Sequence, residues 1–332
     1  MLLAGDIGGT KTNVGIYSSD KGPREPLFEG TFPSGQYASL EDLVSEFLSK
    51  CSIKVDQAIF GVAGPVVGGQ AKITNLPWVI EEKQLREMLN IRSVHLLNDL
   101  EAIAYGLTLL TRKDLHTLNE GMPISRGTLA VIAPGTGLGE AFLMWDGKRH
   151  RAHPSEGGHS DFGPNSMLEI DLLRYLHTKM GHVSYERICS GQGLPNVYAY
   201  LKETGHAEEQ DWLAEQLSLA DDTTPLIVNA ALNAERKCEL CRTTLEIFIS
   251  ALGAEAGNLA LKVMATGGIY LGGGIPPRII SLLNDGSFME SFTNKGRFSA
   301  LVSRIPVHVI LNPKTALIGA AFYGLELYDE CH

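Results

Sequence analysis

The sequence predicts an α/β protein of two domains, and three observations carry that expectation. The chain has 332 residues, past the size at which a single hydrophobic core keeps growing. Short apolar runs bounded by glycines alternate with helical patterns, which is the signature of sheets covered by helices. A strand–glycine turn–strand unit near the start also returns in the second half when Gly9-Thr10 is laid over Gly135-Thr136. A duplicated unit gives each domain its own copy.

The first copy reads as strands at 2–6 and 13–17 joined by Gly8-Gly9-Thr10, with Val14 and Ile16 alternating with small or polar residues. A third strand at 27–32 precedes a helix at 39–50, for which Ser39 and Asp42 supply a start signal. A buried strand at 58–62 ends in Gly61-Val-Ala-Gly64-Pro65. A helix at 81–89 leads to a strand at 94–97 that stops at Asn98-Asp99, and another helix starts at Leu100. Residues 107–127 turn polar and irregular, which places the domain junction there. The second copy follows, with strands at 129–133, 140–145 and 149–152 around Gly135-Thr136-Gly137. Beyond it the pattern is mostly helical, including a long periodic stretch at 234–265. A strand at 265–271 runs into Gly272-Gly273-Gly274 ahead of a Pro276-Pro277 helix. A last strand at 307–311 precedes a terminal helix at 315–328, expected to pack back on the first domain. The expected division is 1–110 plus 314–332 for a small α/β domain and 111–313 for a large one.

A formal net charge of −10 repels phosphate backbones and anionic lipid, which argues against nucleic acid and membrane surfaces as partners. A bound nucleotide must then be held locally, by backbone N–H groups and a metal ion. The five cysteines are scattered in a chain large enough to need no cross-links, which favours a reducing, cytoplasmic setting. Asp6 interrupts the apolar opening, so no signal peptide is expected. The apolar run at 317–327 is broken by Glu326 and falls short of the roughly 18 residues a membrane helix needs.

Gly5-Asp6-Ile7-Gly8-Gly9-Thr10 joins strand to strand, which excludes a Walker P-loop and a Rossmann turn, since both open a helix. What remains is a hairpin whose backbone N–H groups can converge on an anion, beside an Asp6 carboxylate able to reach Mg²⁺ directly or through water. Gly135-Thr136-Gly137-Leu138-Gly139 offers the same equipment. A glycine hairpin alone is more often only a turn. Two matched hairpins and the late Gly272-Gly273-Gly274 turn favour nucleotide binding, with phosphates clamped from both sides.

Asp99 follows an apolar strand at the end where α/β sheets present their chemistry, at or near the N-cap of the next helix. The positive end of the helix dipole is expected to keep it ionised at neutral pH, as a base must be. Capping is the plainer role for such a residue. The segment His153-Pro-Ser-Glu156-Gly-Gly-His159-Ser-Asp161 gathers two imidazoles and two carboxylates. Three readings compete: a metal site, possible on composition, a structural loop, and a polyol-binding loop whose glycines let the ligand approach closely. A zincin-type metal site is excluded because the glycines break any helix. Cys238-Glu-Leu-Cys241 lies in a helical pattern with no second pair, so a redox or metal role is not expected.

Together with Thr74-Asn75-Leu76-Pro77-Trp78, Leu97-Asn98-Asp99-Leu100-Glu101-Ala102 and Leu271-Gly272-Gly273-Gly274-Ile275, these segments resemble, in order and over essentially the whole chain, the bacterial glucokinase family. That family lies within the actin-like ATPase and sugar kinase superfamily. The resemblance implies a two-domain, ribonuclease H-like fold with a cleft between domains and ATP-dependent phosphorylation of glucose at its 6-hydroxyl. Asp99 matches the catalytic base and Asn98 a neighbouring sugar contact. Glu156, His159 and Glu186, the last within Ser184-Tyr-Glu186-Arg-Ile-Cys-Ser190-Gly191, match residues that hydrogen-bond the sugar. Residues 5–10 match the ATP phosphate loop, and the adenine end is placed near Gly272-Gly273-Gly274. ATP and Mg²⁺ are the implied cofactors and a cytoplasmic homodimer the implied assembly; because water in an open cleft would compete as nucleophile, the domains are expected to close on sugar. No cysteine cluster follows His159 and no helix-turn-helix precedes Gly5, so a zinc-bearing sugar repressor is disfavoured. Another hexose or an amino sugar is the nearest alternative substrate, and a non-catalytic, nucleotide-gated binding protein the more distant alternative.

Overall fold

The computed structural model describes residues 1–73 and 76–327. Thr74 and Asn75 of the Thr74-to-Trp78 motif, and Tyr328 of the expected terminal helix, lie outside the described residues.

Strands β1 (Leu2–Ile7), β2 (Lys11–Tyr17), β3 (Phe28–Pro33) and β4 (Gln57–Val62) form where the apolar runs predict them. A small antiparallel sheet of β5 (Val66–Val67), β6 (Gln70–Lys72) and β7 (Val79–Glu81) follows. Its strands are too short for a period-2 pattern to announce them. With β8 (Ser93–Asn98) the first sheet takes the order β3-β2-β1-β4-β8, in which β1, β4 and β8 are parallel and β2 and β3 antiparallel. A parallel strand must be apolar on both faces, and β1 and β4 are buried along nearly their whole length.

One core of this sheet joins Leu3, Ile7, Val14 and Phe60 to Leu40, Leu43, Val44 and Phe47 of helix α1 (Leu40–Ser49). Each such side chain contributes about 1.5–3 kcal/mol when fully buried. The predicted start signal is the actual cap: Ser39 Oγ accepts the Asp42 N–H at 3.2 Å. Helices α2 (Glu82–Leu89) and α3 (Asp99–Leu107) follow.

The second sheet comprises β9 (Leu115–Asn119), β10 (Leu129–Pro134), β11 (Leu138–Trp145), β12 (His150–Ser155), β13 (Gly268–Leu271) and β14 (Val307–Ile310). Its order is β12-β11-β10-β13-β14-β9, with β10, β13 and β14 parallel. β9 corrects the expectation of an irregular junction at 107–127. Its Leu-His-Thr-Leu-Asn sequence is only half-buried and carries little apolar signal, and pairing beside β14 makes it a strand. Thr117 Oγ1 and His308 Nδ1 meet there at 3.0 Å.

Helices α4 (Met167–Met180), α5 (Gly193–Glu203), α6 (Asp211–Ser218) and α7 (Thr224–Leu232) precede the long α8 (Glu239–Lys262). The periodic stretch read from residue 234 thus starts at Glu239. The Cys238 thiol caps it, with Sγ accepting the Cys241 N–H at 3.5 Å. Both thiols are free and buried, so the C-x-x-C pair is a helix start. The expected Pro276-Pro277 helix is a single 3₁₀ turn, Pro276–Arg278. Short helices α9 (Ile280–Leu283), α10 (Ser287–Thr293) and α11 (Ser299–Val302) lead to α12 (Thr315–Phe322), which ends in a wider turn at Tyr323–Leu327.

The chain divides into two compact units. One holds Met1–Leu115, Ala141–Pro154 and the stretch beginning at Asn312; the other holds His116–Glu140 and Ser155–Leu311. Within the first unit α12 lies flush on α3. A Cβ on Gly319 would stand 1.8 Å from the Ala102 carbonyl oxygen, and one on Gly106 would stand 2.4 Å from that of Thr315. This contact fixes the helix that begins with Asp99. Among the described residues no helix is long and apolar enough to cross a membrane.

Gly319→Ala forces α12 off α3 and is expected to cost about 2 kcal/mol or more. Gly35→Ala, whose added Cβ meets nothing within 4 Å, is expected to stay within about 0.5 kcal/mol. Urea unfolding of the two variants reads the difference, and equal midpoints would refute the packing argument.

Candidate active site

The parallel register pairs Asp6 with Gly61, Ile7 with Val62, and Val62 with Asn98. Asp6, the turn after β4, Asn98 and Asp99 therefore gather at the carboxyl ends of three neighbouring strands, the end at which such sheets bind ligands. Asn98 is the N-cap of α3. Its Oδ1 accepts the Leu100 N–H at 3.0 Å, and its Nδ2 donates to the Gly64 carbonyl at 3.1 Å. Asp99 is the first helical residue, and its Oδ1 accepts the same Leu100 N–H at 2.9 Å.

The expectation that Asp99 is simply ionised is corrected. Burial raises its pKa, the Leu100 N–H lowers it, and the charge of Asp6 raises it again, for a result of about 7. A helix N-terminus is worth about 0.3–1 kcal/mol. A shift from 3.8 to about 7 corresponds to roughly 4 kcal/mol, so desolvation wins. Asp6 is also raised by burial, against a hydrogen bond from Asn13 and the charge of Lys11.

In the first glycine segment, Gly5, Asp6 and Ile7 belong to β1, and only Gly8, Gly9 and Thr10 form the turn. Gly5 has a packing reason of its own, since the Phe60 ring occupies the space its Cβ would take. Gly8 N–H closes the hairpin on the Lys11 carbonyl at 3.1 Å. Two residues that the sequence did not single out hold this hairpin. Buried Ser34 donates from Oγ to the Gly8 carbonyl at 2.7 Å and from its N–H to that of Thr10 at 3.0 Å. Asn13 Nδ2 donates to Asp6 Oδ2 at 3.1 Å, while its Oδ1 accepts from Thr31 at 3.0 Å. Asn13 left a signal, a polar residue within an apolar strand. Ser34 left none, because only the fold brings its 3₁₀ turn to the hairpin.

In the second unit the structure brings Gly135, Thr136, Gly137, His159 and Glu186 together. The Gly135 and Thr136 carbonyls accept the N–H groups of Gly191 and Gln192 at 2.7 and 3.2 Å. Glu186 Oε2 accepts the Leu138 N–H at 2.9 Å and lies 2.4 Å from where a Cβ on Gly137 would be. His159 stands 3.8 Å from Glu186 and 4.0 Å from Glu156. Glu156 and His159 are largely open to solvent, whereas Glu186 is mostly covered. Gly272 and Gly273 lie at the end of β13 beside β10, Gly273 with φ +80° against the Pro134 carbonyl. Gly274, the next residue, has open space where its Cβ would be.

Two parts of the 153–161 reading change. His153 stacks on Phe142, and Asp161 pairs with His182 at 2.9 Å, so neither joins the Glu156–His159–Glu186 group. The missing Cβ atoms of Gly157 and Gly158 make room for Glu140 and the Leu138 carbonyl beneath them, so protein packing is itself a reason for these glycines.

Known proteins place this arrangement among the sugar kinases. A solved glucokinase from an Antarctic psychrotroph matches 97% of this chain and 97% of its own with a TM-score of 0.82 at 33% identity. A Balamuthia mandrillaris glucokinase structure shares the fold over 97% of this chain and 92% of its own, with a TM-score of 0.78 at 22% identity. The glucokinase of Nostoc punctiforme is 39% identical over 98% of this chain and 99% of its own. The family model for glucokinase matches residues 3–326, and the chain belongs to the glucokinase family.

The two glycines of the second turn are not equivalent. Gly137→Ala displaces the Glu186 carboxyl from Leu138 and is expected to cost about 1–3 kcal/mol, the scale of leaving a covered donor without its partner. Gly135→Ala meets nothing within 4 Å and is expected to be close to neutral. Denaturant melts that rank them the other way would contradict the geometry.

Proposed function

We propose that the chain transfers the γ-phosphoryl group of ATP to the 6-hydroxyl of glucose, with Asp99 as the base that takes the hydroxyl proton. ATP-dependent phosphorylation of glucose is the family's reaction, and the family match spans residues 3–326. The observation that carries the residue-level reading is the placement of Asp99. It opens α3 at the carboxyl end of β8, sits next to a cap residue with polar groups of its own, and titrates near neutrality. A base whose pKa lies near the working pH is poised both to accept and to release a proton.

In this reading Asn98, Glu156, His159 and Glu186 hold the sugar hydroxyls. The sugar oxygen attacks the γ-phosphorus, the bond from that phosphorus to the bridging oxygen of ADP breaks, and the hydroxyl proton passes to the Asp99 carboxylate. The glycine turns at 8–10 and 135–137 offer backbone N–H groups to the phosphates, and residues 272–274 border the adenine end. Mg²⁺ fits the residues present. Asp6 adds negative charge beside Asp99, and a cation at Asp6 relieves it. Among the described residues no group of three or more His, Cys, Asp or Glu is arranged to hold a metal, as suits an ion carried mainly by nucleotide phosphates. Asp6 would hold it, and the ion would supply charge neutralisation on the transferring group.

The shared order of the sheets supports the duplication. β3-β2-β1-β4-β8 matches β12-β11-β10-β13-β14 strand for strand, with the glycine turn in each case between the second and third positions. We take this as the ribonuclease H-like, actin-like arrangement, with 1–110 plus 314–332 and 111–313 as its functional lobes in a cytoplasmic homodimer.

Asp99→Asn is expected to lower kcat by about 10² or more while glucose affinity changes little; near-native turnover would remove Asp99 from the role. Since the base must be ionised, kcat/KM of the native chain should fall about tenfold per pH unit below about 7. A profile flat down to pH 5 would oppose it. A panel of hexoses and amino sugars in an ATP-consumption assay tests the choice of glucose.

A further inference from the structure

The start of β11 lies directly under the proposed sugar loop. Leu138 N–H donates to Glu186, and the Leu138 carbonyl oxygen stands 2.0 Å from where a Cβ on Gly158 would be. Glu140, two residues on and on the same side of the strand, has its Oε2 1.9 Å from where a Cβ on Gly157 would be. The turn that carries Glu156 and His159 therefore rests on Glu140 at Gly157 and on Leu138 at Gly158. Glu140 is 2% exposed, and among the described residues its Oε1 has no hydrogen-bond partner. The reaction as derived above makes no use of it.

We propose that Glu140 is a positioning residue, which sets the height of Glu156 and His159 through the Gly157-Gly158 turn and so tunes affinity for the sugar. The proposal rests on the reading that these residues hold the sugar.

Glu140 does this as a neutral acid. Burial pushes its pKa up, Glu255 pushes it further, and Lys262 pulls it back, leaving it at about 7. Glu255 and Lys262 face it from α8, and they pair with each other at 3.0 Å. The Cys189 thiol, itself raised by burial and by Glu255, Glu169 and Glu140, faces it from the segment after the Tyr185–Arg187 turn. Glu156 and His159 lie on the loop above. Below about pH 7 the carboxyl keeps its proton and the turn stays seated. Above it, an uncompensated charge forms in a dry site and requires water or a shifted turn. Sugar affinity therefore weakens on the alkaline side, opposite to the acid-side loss of turnover at Asp99.

The test measures kcat and KM for glucose at saturating MgATP from pH 6 to 9 for the native chain, Glu140→Gln and Glu140→Ala, with thermal unfolding of each. Native KM is expected to rise about tenfold by pH 8, following loss of the neutral form. Glu140→Gln keeps the shape without the titration, so its KM should stay near the native pH 6 value throughout, and its kcat should retain the native pH profile. Glu140→Ala leaves the turn unsupported, and its KM should be about tenfold higher at every pH with kcat within about threefold. If Glu140→Ala fails to fold, Glu140→Gln decides alone. An active native chain whose Glu140→Gln variant keeps the native rise in KM overturns the proposal while leaving the glucokinase reading intact. A change in unfolding temperature with no change in the KM profile also overturns it, as a merely structural role. A native chain inactive on glucose overturns both.

Discussion

The in-register parallel pairing of β1, β4 and β8 governs the polar cluster of the first unit. Because Ile7, Val62 and Asn98 fall in one row across the sheet, every polar group that follows those strands emerges at the same end. The sheet is buried on both sides, so the groups at its edge are partly dry. Asp6 and Asp99 are both half-buried there, and for each the loss of solvation outweighs the hydrogen bonds that favour its charge. A near-neutral pKa at Asp99 is the direct result of this placement. The α3–α12 contact at Gly106 and Gly319 holds the helix that starts with Asp99 and so preserves it.

In the second unit a strand, glycine turn and strand solve a different problem. Here the glycine turn meets a carboxylate, Glu186, that takes its place through the Leu138 N–H, and the loop bearing Glu156 and His159 is laid over the next residues of the same strand. Several glycines that look as if they face a ligand are small because protein atoms press on them. Gly137 yields to Glu186, Gly157 to Glu140 and Gly273 to Pro134. Their smallness lets the neighbouring segments pack closely, a role that protein contacts alone account for.

Much of this was legible in the sequence. The central strands β1, β4, β10, β13 and β14 show the apolar runs that burial on two faces demands, whereas the edge strands β3, β9 and β12 and the short β5–β7 carry weaker patterns. Ser39 and Asp42 announced α1, and Asn98-Asp99 marked the start of α3, because caps are local hydrogen-bond problems solved within a few residues. Ser34, Asn13 and Glu140 were not singled out. Ser34 acts on Gly8 and Thr10, and Glu140 on Gly157, partners that only chain folding delivers.

The sequence by itself determined the elements, the two glycine turns, the motifs around Asn98-Asp99 and Glu156–His159, and through them the family. These are properties of short segments, set by periodicity, capping and backbone permissiveness. The tertiary structure decided which carboxylates are hydrated and which are not. It raised Asp99 against the pull of its helix, left Glu140 buried with no partner at Oε1 among the described residues, and paired His153 with Phe142 and Asp161 with His182. The reason is that desolvation depends on everything packed around a group, and for Asp99 it outweighs the local helix field several-fold.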